Sequence, residues 1–220
     1  MTVKSKHDAN QLYTMKKTIV FLFLLVSTLT SQAQTMRELW INMPDSLTVF
    51  LNRGLRTELA DYVDMKVTAE VNNLLKEKTV IDTMTVDYMH VKLTAASELE
   101  LKLLPRKGGD IMVCMVRTYH GPAAQSTMTC YDLEWNLIAG TFVRPLMMAD
   151  FIQKPKTMTE ERYRDLMAMA DIQLTAFHLS PDNQTLDVKF TIPQLTREDQ
   201  ADFDALLTQT KLKWDGEVFK

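Results

Sequence analysis

The chain has few of the residues that mark several large protein classes. Its 220 residues include only two cysteines, too few for a disulfide scaffold or a four-cysteine zinc site. Lys and Arg number 25 against 28 Asp and Glu, so the formal net charge is −3 and there is no basic excess. Binding to nucleic acid therefore lacks its usual electrostatic driving force, and we predict no nucleic-acid partner.

The sequence motifs of common catalytic and cofactor sites are absent as well. The chain contains no HExxH, GxSxG, CxxC or GxGxxG pattern, and neither a P-loop nor an EF-hand loop. The pair Gly108-Gly109 stands alone between two apolar stretches and indicates a hairpin turn rather than a phosphate-binding loop. The sequence therefore predicts no cofactor and no metal site, and it leaves any catalytic residue unknown.

A short apolar segment near the start of the chain is typical of a secretory signal peptide. Lys16 and Lys17 precede an apolar run over residues 19–26, and the small-residue sequence Ser31-Gln32-Ala33 follows. A transmembrane helix is the alternative. The apolar run, however, is about half of the roughly 20 residues that a helix needs to span a bilayer. We therefore predict cleavage after Ala33.

This interpretation divides the chain into three parts. Residues 1–14 are an upstream extension without a structural role, residues 15–33 are the signal peptide, and residues 34–220 form a single domain without a transmembrane anchor. The first two parts carry four lysines and one aspartate, so the mature domain has a net charge of −6. We predict a periplasmic or secreted protein whose partner is another envelope protein or a glycan.

Periodicity along the mature domain predicts an α+β fold. A capping box at Thr35-Met36-Arg37-Glu38 opens a helix. A second helix, capped by Asp45 or Ser46 and with Leu47, Phe50 and Leu51 on one face, is expected to end at Gly54. Strict alternation then begins, as in residues 87–94, where Met89, Val91 and Leu93 are expected to point inward. We predict N-terminal and C-terminal helices packed on an antiparallel, hairpin-connected β-sheet. The remaining predicted elements are a third helix at 56–64, strands at 98–103, 111–119 and 127–135, a short helix at 146–152, a longer helix ending at Met169, a hairpin at 171–179 and 185–192, a helix from Thr196, and a closing strand at 212–219.

The mature domain contains three histidines, and each stands alone in the sequence. His90 shares one strand face with Tyr88 and Lys92, and we expect this face to be exposed to solvent. His120 lies in a predicted turn. His178 ends a strand near two aspartates, and its pKa would rise if one of them faced it. A metal site built from all three histidines would require convergence in space that sequence patterns do not show.

Cys114 and Cys130 are equally spaced from the turn centred near Pro122. If the flanking strands pair through His120 and Ala124, the two cysteines lie directly opposite each other on one face. Export would supply the oxidising compartment that a disulfide requires. Two free, buried cysteines are the alternative, because cysteine is a common core residue.

Five short sequences, taken in order, resemble a family of secreted proteins of unknown function from Bacteroidales. The resemblance covers most of the mature chain, includes the signal peptide and supports the predicted envelope location. It implies no activity, substrate or catalytic residue. The five sequences are Met43-Pro44-Asp45-Ser46-Leu47, Thr85-Val86-Asp87-Tyr88, Lys102-Leu103-Leu104-Pro105, Tyr131-Asp132-Leu133-Glu134-Trp135 and Thr191-Ile192-Pro193-Gln194.

Two functional hypotheses remain open at this stage. The first is a non-enzymatic binding or assembly module of the bacterial envelope, suggested by the missing reactive motifs and by the expected exposure of the strand face at Tyr88, His90 and Lys92. The second is an unrecognised hydrolase in which His178 or His120 is the base and an aspartate orients it. Catalytic groups are assembled in space rather than in sequence, so the missing motifs do not exclude the enzyme.

Overall fold

Two antiparallel sheets and four helices form the part of the chain described by the computed structural model, residues 34–170, 174–193 and 195–220. The predicted extension and signal peptide lie outside the described residues. The helices are α1 (Met36–Asn42), α2 (Arg53–Asp64), α3 (Glu160–Met169) and α4 (Arg197–Asp204), and two short 3-10 helices occur at Asp45–Leu47 and Met148–Asp150. The strands are β1 (Glu70–Asn72), β2 (Lys78–Met84), β3 (Tyr88–Thr94), β4 (Ser97–Pro105), β5 (Ile111–Tyr119), β6 (Gln125–Tyr131), β7 (Leu137–Ile138), β8 (Leu174–Leu179), β9 (Thr185–Thr191) and β10 (Thr210–Lys213).

The main sheet is a seven-stranded meander in which each strand pairs with the next one in sequence, from β1 to β7. A second sheet of three strands has the order β10-β9-β8. The predicted α+β class is therefore confirmed, while the sequence suggested one sheet where there are two. Within the described residues, no helix is both long enough and apolar enough to cross a bilayer.

The two faces of the main sheet contribute to different cores. One core contains α1, α2 and the side chains of β3 that were expected to point inward, and Met89 and Val91 there are fully buried. The other core lies between the opposite face and the second sheet, and it includes residues of α3 and α4. Thr35–Lys220 forms one compact unit around both cores.

Hydrogen bonds at the start of the domain explain which predicted helices form. The capping box is confirmed, because Thr35 Oγ1 accepts from the Glu38 N–H at 3.2 Å and Glu38 Oε2 accepts from the Thr35 N–H at 2.9 Å. The prediction for Gly54 is wrong. Asn52 Oδ1 accepts from the Leu55 N–H and starts α2, so Gly54 lies in the first turn of that helix rather than at the end of another.

Two predicted elements in the C-terminal half are shorter in the structure than expected. The helix over residues 146–152 is reduced to the 3-10 helix at Met148–Asp150. The closing strand at 212–219 is β10 followed by a turn, because Gly216 has a φ of 97° and a bridge joins Trp214 to Phe219.

Candidate functional site

The three histidines of the described chain converge on acidic side chains of β2 and β4, the two strands that flank β3. We call this group the histidine–carboxylate row, and it consists of Asp82, His90, Glu98, Glu100, His120 and His178. Glu98 and Glu100 are two residues apart on β4, so their side chains share one face of the main sheet. β4 therefore contributes the two carboxylates around which the histidines gather.

His178 reaches this row from the second sheet and pairs with Glu100. Its Nδ1 lies 2.5 Å from Glu100 Oε1, and the Glu100 side chain is 2% exposed whereas that of His178 is 54% exposed. The predicted rise in the pKa of His178 is supported, with the Glu100 hydrogen bond as its main cause and Asp187 as a smaller one. The partner itself differs from the prediction, which expected an aspartate in place of Glu100.

Glu100 also binds two other groups that fix it in place. Oε1 accepts from the Tyr88 hydroxyl at 2.8 Å, and Oε2 accepts from the Leu179 N–H at 2.9 Å. Burial and the neighbouring carboxylate raise the pKa of Tyr88 far above its usual range, which keeps this hydroxyl a donor. Of its three hydrogen bonds, the two from His178 and Leu179 of β8 join the main sheet to the second sheet.

His90 and His120 both contact Glu98, the other β4 carboxylate of the row. His90 Nε2 lies 3.2 Å from Glu98 Oε2, and its Nδ1 lies 3.3 Å from Asp82 Oδ2. His120 extends from the β5–β6 turn to place its Nε2 3.3 Å from Glu98 Oε1. The row thus connects β2, β3, β4 and the β5–β6 turn.

The expected exposure of the β3 face is only partly right. Lys92 is exposed and pairs with Asp82 at 2.6 Å, as a solvated strand face predicts. Tyr88 is 3% exposed and the His90 side chain 17% exposed, because the second sheet covers one end of this face and carboxylates flank the histidine. Alternation in the sequence identified the face correctly but did not reveal what lies over it.

Two other acidic pairs, each on a single helix, form structural ion pairs. Asp61 and Asp64 on α2 both contact the guanidinium of Arg37. Asp199 and Asp202 on α4 both contact Arg162 on α3, at 2.8 and 2.7 Å. Among the described residues, no three His, Cys, Asp or Glu side chains are arranged to hold a metal ion.

The predicted register of the two cysteines is confirmed. Cys114 pairs directly with Cys130 across β5 and β6, and both are fully buried. The structure contains them as free thiols, so the disulfide that the sequence suggested is not present in it. A hydrogen bond between the two thiols and their burial raise the pKa of Cys114.

One cavity of the described chain has a volume of about 620 Å³, in the range of ligand pockets. We call it the cleft. It is lined by the β5–β6 turn (residues 120–124), by residues 188–192 of β9 and beyond, by one side of α4, and by residues 207–209. Within the histidine–carboxylate row, only His120 lines the cleft, so the His178–Glu100 pair and the cavity are separate features.

The cleft combines an apolar base with polar walls. Phe190 and Phe203 are buried at its base with ring centroids 6.1 Å apart. Gln200 and Asp204 of α4 line one wall, and Lys189 lines another. His120 and the helix start near Thr196 were evident from the sequence, but the cavity was not, because its walls come from segments far apart in the chain.

Comparisons with known proteins identify the fold and the family. A solved domain of an uncharacterized protein from Porphyromonas gingivalis W83, a member of the Bacteroidales, matches with a TM-score of 0.66 and 17% sequence identity. The match covers 84% of this chain and 96% of that one, and at this identity it shows the fold alone. No curated protein sequence matches the chain. A family profile described as "Protein of unknown function (DUF3256)" matches residues 28–219. The chain therefore belongs to the DUF3256 family, which confirms the resemblance to a family of unknown function.

Proposed function

We propose that the protein is an exported, non-enzymatic binding or assembly module of the bacterial envelope, and that the cleft is its ligand site. The observation that carries this proposal is the cleft itself, a cavity of ligand size with an apolar base and polar walls. The sequence before residue 34, with its signal-peptide pattern, supports the envelope location.

The arrangement of the histidines is consistent with a binding module. Each histidine is held by a carboxylate, and among the described residues no serine, threonine or cysteine is hydrogen-bonded to a histidine. A side-chain nucleophile is typically activated through that contact, since the base has to remove the proton of the attacking group. The row stabilises the junction between the sheets, and the cleft binds the ligand.

The hydrolase remains a second candidate because of one specific contact. A buried carboxylate at 2.5 Å from Nδ1 of a half-exposed imidazole resembles the base and orienting acid of hydrolases. If His178 is such a base, the purified protein hydrolyses members of a panel of chromogenic esters, and His178→Asn abolishes that activity. A binding module gives no turnover with either protein.

Co-purification from native envelopes tests the binding proposal. The wild type and two tryptophan variants are tagged and cross-linked in cells: Gln200→Trp fills the cleft, and Gln184→Trp is the matched control on an exposed turn outside it. We expect a partner that is recovered with the wild type and Gln184→Trp but reduced at least tenfold with Gln200→Trp. Equal recovery with all three proteins would contradict the role of the cleft.

N-terminal sequencing of the same native material tests the export proposal. We expect the mature chain to begin at Gln34 or close to it, because Ser31-Gln32-Ala33 has the small residues that a signal peptidase requires. Recovery of a chain that still carries residues 15–33 would contradict secretion.

A further inference from the structure

The second sheet has an incomplete edge inside the cleft. β9 runs from Thr185 to Thr191, but β10 pairs with it only between Thr185 and Val188. Continued pairing in the same register would place Thr208 opposite Phe190. The last part of β9 is therefore bordered by β8 on one side and by the cleft on the other.

Hydrogen bonds of the preceding segment explain why β10 leaves its neighbour. The Thr208 N–H donates to Phe151 O at 2.7 Å instead of to β9. Thr210 Oγ1 donates to Asp150 O at 2.6 Å, and Leu206 O accepts from the Gln153 N–H at 2.8 Å. The segment that would have completed the sheet is thus held against residues 150–153.

The main chain of Phe190 faces the space beside β9 that β10 does not fill. The bond from the Trp214 N–H to Gln184 O shows that even-numbered residues of β9 direct their N–H and C=O groups toward β10, since alternate residues of a strand bond to the same side. No hydrogen bond to the Phe190 main chain occurs on that side among the described residues. Phe190 is only 4% exposed, and buried main-chain groups are rarely left without a partner.

We propose that the cleft binds an extended peptide, which pairs with Phe190 and adds a strand to the second sheet in the space that β10 leaves. This inference rests on the proposed function, in which the cleft is the ligand site. A polypeptide fits because an extended chain presents the complementary N–H and C=O of one residue at strand spacing. A glycan has hydroxyl groups but no such pair.

Charges around the cleft are also suited to a peptide. Lys189 and Asp204 line different walls, and neither forms an ion pair with another described residue. An extended peptide with one acidic and one basic side chain would satisfy both charges while its main chain pairs with β9. Its apolar side chains would contact Phe203 at the base of the cleft.

A displayed library of random octapeptides is the probe, and the purified wild-type protein is the target. We expect selection of peptides that bind the wild type and Gln184→Trp equally but bind Gln200→Trp and Gln209→Trp at least tenfold more weakly. Both cleft variants are checked by their melting temperature, and two are used so that the test still stands if one of them is destabilised. In the wild type, saturating peptide is expected to slow hydrogen exchange of the Phe190 amide at least tenfold.

Backbone methylation of a selected peptide separates strand addition from other modes of binding. Methylation of the amide that faces Phe190 removes one donor and is expected to weaken binding about tenfold, whereas methylation of the adjacent, outward amide leaves it nearly unchanged. The inference would be overturned if no peptide is enriched, or if the selected peptides bind the cleft variants as tightly as the wild type. It would also be overturned if saturating peptide leaves the hydrogen exchange of the Phe190 amide unchanged. If the partner in native envelopes is still lost with Gln200→Trp, the proposed function stands and only the assignment of an extended peptide as the ligand is wrong.

Discussion

The two faces of the main sheet satisfy their buried charges in different ways. On the face covered by α1 and α2, the guanidinium of Arg56 is 1% exposed and donates mainly to main-chain carbonyls of residues near it in sequence. On the opposite face, Glu100 is equally buried but accepts from Tyr88, His178 and Leu179, which come from two different sheets. The first arrangement is local, and the second depends on the tertiary fold.

This difference separates a charge held by residues near it in sequence, including Asp45 at 2.8 Å, from one that is paired with a histidine of the other sheet. Arg56 donates to Trp40 O at 3.1 Å and to Leu51 O at 2.5 Å, and all its partners lie within sixteen residues along the chain. Glu100 is linked through His178 to the solvent, since that imidazole is half-exposed. Changes in pH that titrate His178 therefore act at the junction between the sheets.

The largest effect is expected from removing the charge of the local arrangement. Arg56→Met leaves several buried carbonyls without a donor, and we expect a loss of about 3–5 kcal/mol in the free energy of unfolding. Denaturant unfolding at pH 7 measures it. Arg53→Met, an exposed change on the same helix, is the control and is expected to cost less than about 0.5 kcal/mol. A cost of Arg56→Met below 1 kcal/mol would contradict the structural role.

A smaller loss is expected when the charge that joins the sheets is removed. In Glu100→Gln an amide NH₂ replaces one oxygen and faces a donor from Tyr88, His178 or Leu179. We expect a loss of about 1–3 kcal/mol in the free energy of unfolding. Glu98→Gln on the same strand is the matched control. It should cost under about 1 kcal/mol, because Glu98 is more exposed and contacts only histidines. Equal costs would mean that burial does not distinguish the two positions.

Sequence reasoning succeeded where the determinant is local. The capping box at Thr35, the inward phase of Met89 and Val91, and the pairing of the two cysteines all follow from neighbouring residues or from a single hairpin, and the structure confirms them. Gly54 was misjudged because the nearby Asn52 caps a helix more effectively than the sequence pattern suggested.

The candidate site was less predictable because it is assembled from distant segments. Glu100 alternates with apolar residues like any exposed strand position, and only the second sheet, 79 residues away at Leu179, buries it. The convergence of the histidines on Glu98 and Glu100 has no signature within a short window of sequence. The cleft depends on where β10 leaves β9, which is decided by hydrogen bonds to residues 150–153.

The link between the buried carboxylate and solvent predicts a dependence of stability on pH. The pKa of His178 is raised in the folded protein, so its pairing with Glu100 stabilises the fold fully below the unfolded pKa of about 6.5 and is lost as pH rises through the folded pKa. We expect His178→Asn to cost more stability at pH 5.5 than at pH 8.5. The difference should stay below about 1 kcal/mol, because the imidazole is half-exposed.

Unfolding curves of the wild type and His178→Asn across this pH range provide the measurement. Glu100→Gln is the control, since without the carboxylate the imidazolium loses its main partner and the pH dependence of the His178→Asn cost should disappear. A His178→Asn cost that is larger at pH 8.5 would show that the neutral imidazole is the form that the fold prefers.

The smallest effect concerns the two cysteines, whose reactivity is expected to change without a change in stability. The bonds from the Arg106 N–H to Asp110 O and from the Asp132 N–H to Asn136 O set the phase of the two ladders. In that phase the main chain of Cys114 faces β4 and that of Cys130 faces β7, so the two form a non-hydrogen-bonded pair with close side chains. Full burial and a raised pKa of Cys114 leave little thiolate, and thiolate is the reactive form. We expect no alkylation of the native protein within minutes and two alkyl groups per chain after denaturation without reductant, measured by intact mass. Uptake of no alkyl group after denaturation would show that the thiols had formed the disulfide allowed by their register.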